Sequence, residues 1–326
     1  MIVYILGRLI QAVPLLLALM VINFLLIHLA PGDPLVYLMG DVPADAQLVA
    51  QVRERLGLDR PLYEQLFRYI ADVARGDLGT SFYFQRPVLE LVLERVPATA
   101  LLMGTQMLLT TVIGIPLGVM AARRRDTWTD GAISATAILG FSVPMFWLAQ
   151  IAILVFAVNL GLLPAQGIVD TRRTHEGLQH ILDVASHLVL PAATLAFGHM
   201  ALLVRITRTS VIDTLTREFV TTAHAKGLAE RVVLWRHVMR NSMLPIITIL
   251  GLELGQIVAG TIVAESVFAW PGVGRLTFDS ISRRDIPVIM GVFLLTAGAV
   301  IVANLVTDIA YGFLDPRIRV GGRARS

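Results

Sequence analysis

The chain has no cysteine, which excludes disulfides, thiolate zinc sites, iron–sulfur ligation and thiol nucleophiles together. It has a single lysine among its 27 basic residues, Lys226, and Gly227 follows it. A phosphate-binding P-loop needs lysine followed by serine or threonine after its glycines, so no nucleotide site of that type exists here. Charge is scarce too: of 326 residues, 16% are charged and 56% are apolar, against about 25% and about 45–50% in soluble domains. With a mean hydropathy of +0.72, the chain is neither disordered nor an ordinary soluble domain. Its net charge of +3 is no sign of nucleic-acid binding, because the basic residues lie between long apolar runs and form no clustered basic face.

What is present is a succession of apolar runs. Roughly 20 apolar residues in a helix cross about 30 Å of hydrocarbon. Six stretches qualify: Leu9 to Leu29, Ala98 to Ala122, Ala132 to Val158, Leu188 to Val204 (the shortest), Leu244 to Ala264 and Val288 to Ile309. The first has a longer apolar core than a signal peptide and no A-x-A cleavage site after it, so it reads as a retained anchor. Basic residues in short loops resist translocation. They gather at Arg8, at Arg123 to Arg125, through 205–243 (Arg205, Arg208, Arg217, Lys226, Arg231, Arg236, Arg240) and in the tail (Arg317, Arg319, Arg323, Arg325). The short loops on the other side hold only Arg172 and Arg173, and Arg275, Arg283 and Arg284. This predicts that both termini are cytoplasmic.

The long outer segment is patterned as helix. Pro61, then Leu62, Leu66, Ile70 and Val73 at three- and four-residue steps, then Gly76, describe an amphipathic helix with a start and a stop. Val49, Val52 and Leu56 suggest a shorter one before it. Val88, Leu91, Val92 and Val96 share a face, as expected of a helix lying at the interface and leading into the second span. A small helical extracytoplasmic cap is expected between the first two spans.

The most informative stretch is Thr221 to Asn241, TTAHAKGLAERVVLWRHVMRN. Asp213 to Lys226 has no proline or glycine and can be helical, Gly227 allows a positive φ, and Ala229 to Arg240 can be helical again. The second helix mixes Val232, Val233, Leu234, Trp235, Val238 and Met239 with Arg231, Arg236, His237 and Arg240. That much apolar surface implies packing on another chain or on the membrane face. The composition equally allows a positive-inside loop resting on the bilayer. A DNA-reading helix-turn-helix is disfavoured, since short spans tether both ends.

These residues resemble the EAA loop of type I ABC importer permeases, and more closely the dipeptide, oligopeptide and nickel permeases. The likeness covers almost the whole chain: Pro31, Gly32, Asp33 and Pro34; Arg86, Pro87 and Val88; Pro97, Ala98 and Thr99; TAHAKGL from Thr222 to Leu228; His237, Arg240, Asn241, Leu244 and Pro245; FAWPGVG from Phe268 to Gly274; and LDPRIR from Leu314 to Arg319. It implies an all-α membrane protein of six transmembrane helices. Residues 1–30 would form the N-terminal end and first span, 31–97 the outer segment, 98–312 the five-helix transmembrane domain with its coupling loop 205–243, and 313–326 a cytoplasmic tail. It also implies a coupling helix at Thr222, Ala223, His224, Ala225, Lys226, Gly227 and Leu228, with His237 and Arg240 nearby, seated on a cytosolic ATPase. Thr221 and Thr222 stand at the Glu and Ala places of the general EAA pattern, and His237, Met239 and Arg240 at its Ile, Leu and Pro places, a variation characteristic of the peptide-type subgroup. The implied partners are a second homologous permease, two P-loop ATPases holding ATP and Mg, an extracytoplasmic substrate-binding protein and the lipid bilayer. The chain itself would bind no cofactor and catalyse nothing. Peptides are the implied cargo, with nickel, a metal chelate or a glutathione-like solute as alternatives.

Ionisable and large polar groups inside spans are costly and so are functional candidates. Gln106, Gln150, His199, Glu253, Gln256, Asn304 and Asp308 are candidates for the translocation path or for interhelical contacts, and His28 belongs with them. Glu253 also supports a rival reading, a self-sufficient ion-coupled transporter or channel, although no internal repeat is evident. His175, His180 and His187, with Glu176 and Asp183, have spacings that do not stack on one helix face, so no metal site is expected. Ser142, Ser210 and Asp213 lack a nucleophile turn or a partnered base.

Overall fold

The computed structural model describes residues 2–29, 60–172, 176–254, 257 and 261–314. Among these, regular structure is helical, and the one extended pairing is an isolated antiparallel bridge between Thr80 and Pro87. The helices are α1 (Ile2–Leu29), α2 (Leu62–Ala74), α3 (Val88–Arg123), α4 (Trp128–Ser142) and α5 (Met145–Ala152, running on as a π-helical stretch over Ile153–Asn159). There follow α6 (Leu178–Leu215), α7 (Glu218–Ala225) and α8, which opens over Glu230–Val232, passes through a π-helical stretch at Val233–Val238 and continues over Met239–Leu254. The last three are α9 (Ile262–Val267), α10 (Val273–Ser282) and α11 (Ile286–Leu314). The chain divides into two compact units.

The first unit comprises Met1–Thr99, Val258–Ile262 and Gly272–Ser326. Helix α2 starts behind Pro61 and stops as its sequence demands: Gly76 takes φ +85, its N–H donates to the Val73 carbonyl at 3.0 Å, and the Asp77 N–H donates to Asp72 at 2.9 Å. This is the Schellman closure, which a positive-φ glycine makes possible. His28 Nε2 lies 3.1 Å from Gln65 Oε1, and the Asn23 amide donates to the Met290 carbonyl at 3.2 Å, tying α1 to α2 and α11. The expected helix around Val88 departs from expectation. It is the opening of α3 itself, and its apolar face meets the chain's own core: Val88, Leu91 and Val92 are buried against Val273, Leu276, Val288 and Val292. Arg86 holds its flank by donating to Glu90 at 2.6 Å and to Glu94 at 2.5 Å. The Arg86 hydrogen bond keeps the Glu94 carboxyl below its ordinary pKa.

The second unit comprises Ala100–Ile257 and Val263–Pro271. Here α4, α5 and α8 pack on the long α6. Small residues set the approach: a Cβ at Gly140 would sit 2.6 Å from the Phe197 carbonyl oxygen, and one at Gly118 would sit 2.8 Å from that of Val204. Because these neighbours are backbone atoms they cannot step aside. Gly140→Leu should therefore cost about 1–3 kcal/mol by overpacking, read as a lower melting temperature of the detergent-solubilised protein.

Three helices among the described residues are long and apolar enough to cross a membrane: Val88–Arg123, Leu178–Leu215 and, within α11, Ile286–Val306. The short stretch expected at Leu188 to Val204 is the middle of one of these. Ala132 to Val158, expected as one span, is two helices bent by 103°. Pro144 has no N–H to donate and pushes Val143 into an extended conformation, φ −81 and ψ 128. In the first stretch, Ile10–Leu26 is a shorter apolar helix. Of the stretch Leu244 to Ala264, residues 255–256 and 258–260 lie outside the described residues, as do the helix expected around Val49, Val52 and Leu56 and the tail from 315.

Candidate functional site

Helix α6 does not run on to Lys226 as expected; it ends at Leu215, and α7 begins at Glu218 after a break at Thr216 and Arg217. At the far end of α7, Lys226 is the C-cap and Gly227 takes φ +75. The Gly227 N–H donates to the His224 carbonyl at 2.9 Å and the Leu228 N–H to that of Ala223 at 3.4 Å, a second Schellman closure. A side-chain bond clasps the turn: His224 Nε2 lies 2.9 Å from Glu230 Oε2, on the first turn of α8.

This hairpin has two faces. Val220 and Ala223 of α7 are buried with Val233, Leu234, Val238 and Met239 of α8, on Val119, Ala122 and Val211. The wider π-helical turn brings Val233 and Val238, five residues apart, onto that one inner face. Most of the apolar surface that implied an outside partner is thus consumed within the chain, leaving Val232 and Trp235 exposed among Arg231 and Arg236. The outer face carries Thr222, His224, Ala225, Lys226, Gly227 and Leu228, all exposed, while His237 is half-buried and Arg240 exposed.

Two polar arrangements that sequence reasoning missed hold the hairpin's base. Ser242 Oγ donates to Thr214 Oγ1 at 2.9 Å, and Ser210 Oγ donates to the Ser242 carbonyl at 3.0 Å, joining α6 to α8. Further along α6, the Arg208 guanidinium grips Asp130 of α4 in a fork, Nε to Oδ1 and Nη2 to Oδ2, both at 2.7 Å. The Asp126 N–H also donates to Asp130, at 3.1 Å. The Arg208 hydrogen bonds hold the Asp130 carboxyl below its usual range and raise the pKa of Arg208. One signal was available: Asp126 and Asp130 are the acids of a loop otherwise rich in arginine.

Of the intramembrane candidates, the structure brings His199 and Glu253 together, Nδ1 to Oε1 at 3.5 Å, with the Glu253 side chain 14% exposed. Glu253 Oε2 is buried and has no hydrogen-bond partner among the described residues. Gln106 is buried and donates to Thr110 Oγ1 at 3.0 Å. Gln150 and Asn304 are exposed. Gln256 and the side chain of Asp308 lie outside the described residues. His187 lies 3.2 Å from Asp183, and among the described residues no group of three or more His, Asp or Glu could hold a metal ion. Ser210 is spent on the helix joint just described.

Residues 114–320 match the family model described as binding-protein-dependent transport system inner membrane component. Residues 1–103 match the model for the N-terminal part of such a membrane component. Over 316 residues the chain is 40% identical to the oligopeptide transport system permease protein AppB of Bacillus subtilis, covering 97% of this chain and 98% of that protein. It is equally identical, over the same shares, to the glutathione transport system permease protein GsiC of Salmonella typhimurium. With the di/tripeptide transport system permease protein DppB of Pseudomonas aeruginosa, identity is 37% over 98% of this chain and 99% of the relative. Among solved structures, the MetNI methionine ABC transporter in inward-facing conformations shares the fold at a TM-score of 0.55 and 16% identity, over 70% of this chain and 97% of that one. The chain belongs to the binding-protein-dependent transport system inner membrane components, the permease subunits of ABC importers.

Proposed function

We propose that this chain is one of two homologous permeases that import peptides across the inner membrane, with both termini cytoplasmic. Two P-loop ATPases holding ATP and Mg drive it from inside, and a substrate-binding protein delivers cargo outside. The peptide assignment rests on relatives named for oligopeptides and di/tripeptides. The observation that carries the coupling role is the exposed, doubly closed turn at Gly227, welded to α6 and α8 through a buried core. ATPase closure would move this hairpin as a rigid body and rock the spans between inward and outward openings. The chain transmits work and catalyses nothing.

Affinity purification of the tagged chain in mild detergent, followed by mass spectrometry and by uptake of a labelled dipeptide into vesicles, tests this. A second permease and P-loop ATPases should co-purify, and uptake should need ATP. A chain that comes down alone and moves solute without ATP would establish the ion-coupled reading. Glu253→Gln separates the same two readings: as an interhelical contact it should lower uptake less than about threefold, a cost of about 0.6 kcal/mol, whereas total loss would make it the coupling acid. Glutathione is the second cargo reading, favoured by the 40% identical GsiC proteins. Competition by unlabelled glutathione against the dipeptide discriminates the two.

A further inference from the structure

Between α4 and α6 lies a cavity of about 490 Å³, beside the Asp130–Arg208 fork. The two helices run antiparallel here, since Asp130 meets Arg208 at one level and Gly140 meets Phe197 at another. The lining is therefore ordered along the helix axes. Arg205, Arg208 and Thr209 mark one end, and Ile138, Phe141 and Leu202 line the wall toward the other. These three apolar side chains are 63%, 77% and 47% exposed, so the chain itself leaves them uncovered. The two arginines differ. Arg208 is neutralised by Asp130, whereas Arg205 is exposed and makes no ion pair among the described residues.

A pocket whose cationic end sits at the end of a span and whose apolar wall runs into the hydrocarbon has the polarity of a phospholipid. We infer that this cavity binds an anionic phospholipid, its phosphate on Arg205 and Thr209 and an acyl chain along Ile138, Phe141 and Leu202. The net positive charge left by Arg205 selects an anionic headgroup over a zwitterionic one. An apolar protein partner would leave that charge buried and unpaired. The lipid belongs to the inner leaflet if the orientation proposed above holds. The binding itself does not depend on that orientation, so failure of the site and failure of the topology are separate results.

The assembled transporter, purified in mild detergent, is titrated with phosphatidylglycerol and in parallel with phosphatidylcholine, and bound lipid is read by native mass spectrometry. Phosphatidylglycerol should be retained selectively. Arg205→Gln should weaken it about fivefold, the worth of one basic residue at an anionic surface, and Arg205→Lys should restore it. Equal retention of the two lipids, or unchanged binding in Arg205→Gln, overturns the inference. So does displacement of the lipid by inorganic phosphate at equal concentration, or a photo-cross-linker at Phe141 that captures the partner permease and no lipid.

Discussion

Replacing Gly227 with valine is expected to cut ATP-driven uptake about tenfold while expression and membrane insertion stay normal. The reason is conformational. Gly227 holds φ +75 at the closure of α7, and nothing lies within 4 Å of a Cβ added there. A β-branched side chain would meet no neighbour, yet it strains its own backbone by about 1–2 kcal/mol or more, which is roughly a tenfold loss of the native turn. The two hydrogen bonds to His224 and Ala223 depend on that backbone, as does the approach of His224 to Glu230. Gly227→Asn, which tolerates the left-handed region, should retain most of the uptake. A Gly227→Val transporter working at the wild-type rate would refute the turn's role, and an equally dead asparagine variant would shift the requirement from conformation to the absence of a side chain.

Asp130→Ala should lower stability more than any single exposed change. It leaves the Arg208 guanidinium, 28% exposed, without its forked partner, and removing one member of a buried pair costs roughly 3–5 kcal/mol. The partial exposure of Arg208 places the cost at the lower end. Replacing both partners, Asp130→Ala with Arg208→Leu, should recover most of the loss, because no charge is then stranded. The pH dependence has a definite sign. Since the folded pKa of Asp130 is depressed, its stabilisation is present above the ordinary carboxylate value and disappears as pH falls through and below that value. Thermal melts of the detergent-solubilised protein across that range should converge for wild type and the Asp130→Ala variant as acid is added, because a protonated Asp130 leaves Arg208 stranded just as alanine does. Parallel curves would show that the pair contributes nothing.

The parts read correctly from sequence share a physical origin: they depend on neighbours in the chain. The closure of α2 at Gly76 and of α7 at Gly227 follows from a glycine placed where the helix must reverse, because only local backbone freedom is at stake. The helical hairpin around Gly227 was legible for the same reason, its residues lying in one continuous run. The break at Val143 and Pro144 was written in the sequence as well, but a proline inside an apolar stretch can kink a helix or end it, and the 103° turn depends on the packing of both halves.

Composition, the apolar runs and the order of short motifs were sufficient to determine that this is a helical membrane permease, because bilayer thickness and backbone hydrogen bonding leave few alternatives to a chain so apolar. Tertiary structure alone decided which surfaces remain free. Val88 and Leu91 turned onto the chain's own core, Val233 and Val238 turned inward beneath the turn at Gly227, and Asp130, unremarked among arginines, found Arg208 across 78 positions of sequence. Periodicity shows that a helix has an apolar face, but what that face meets is set by contacts between segments far apart in the chain.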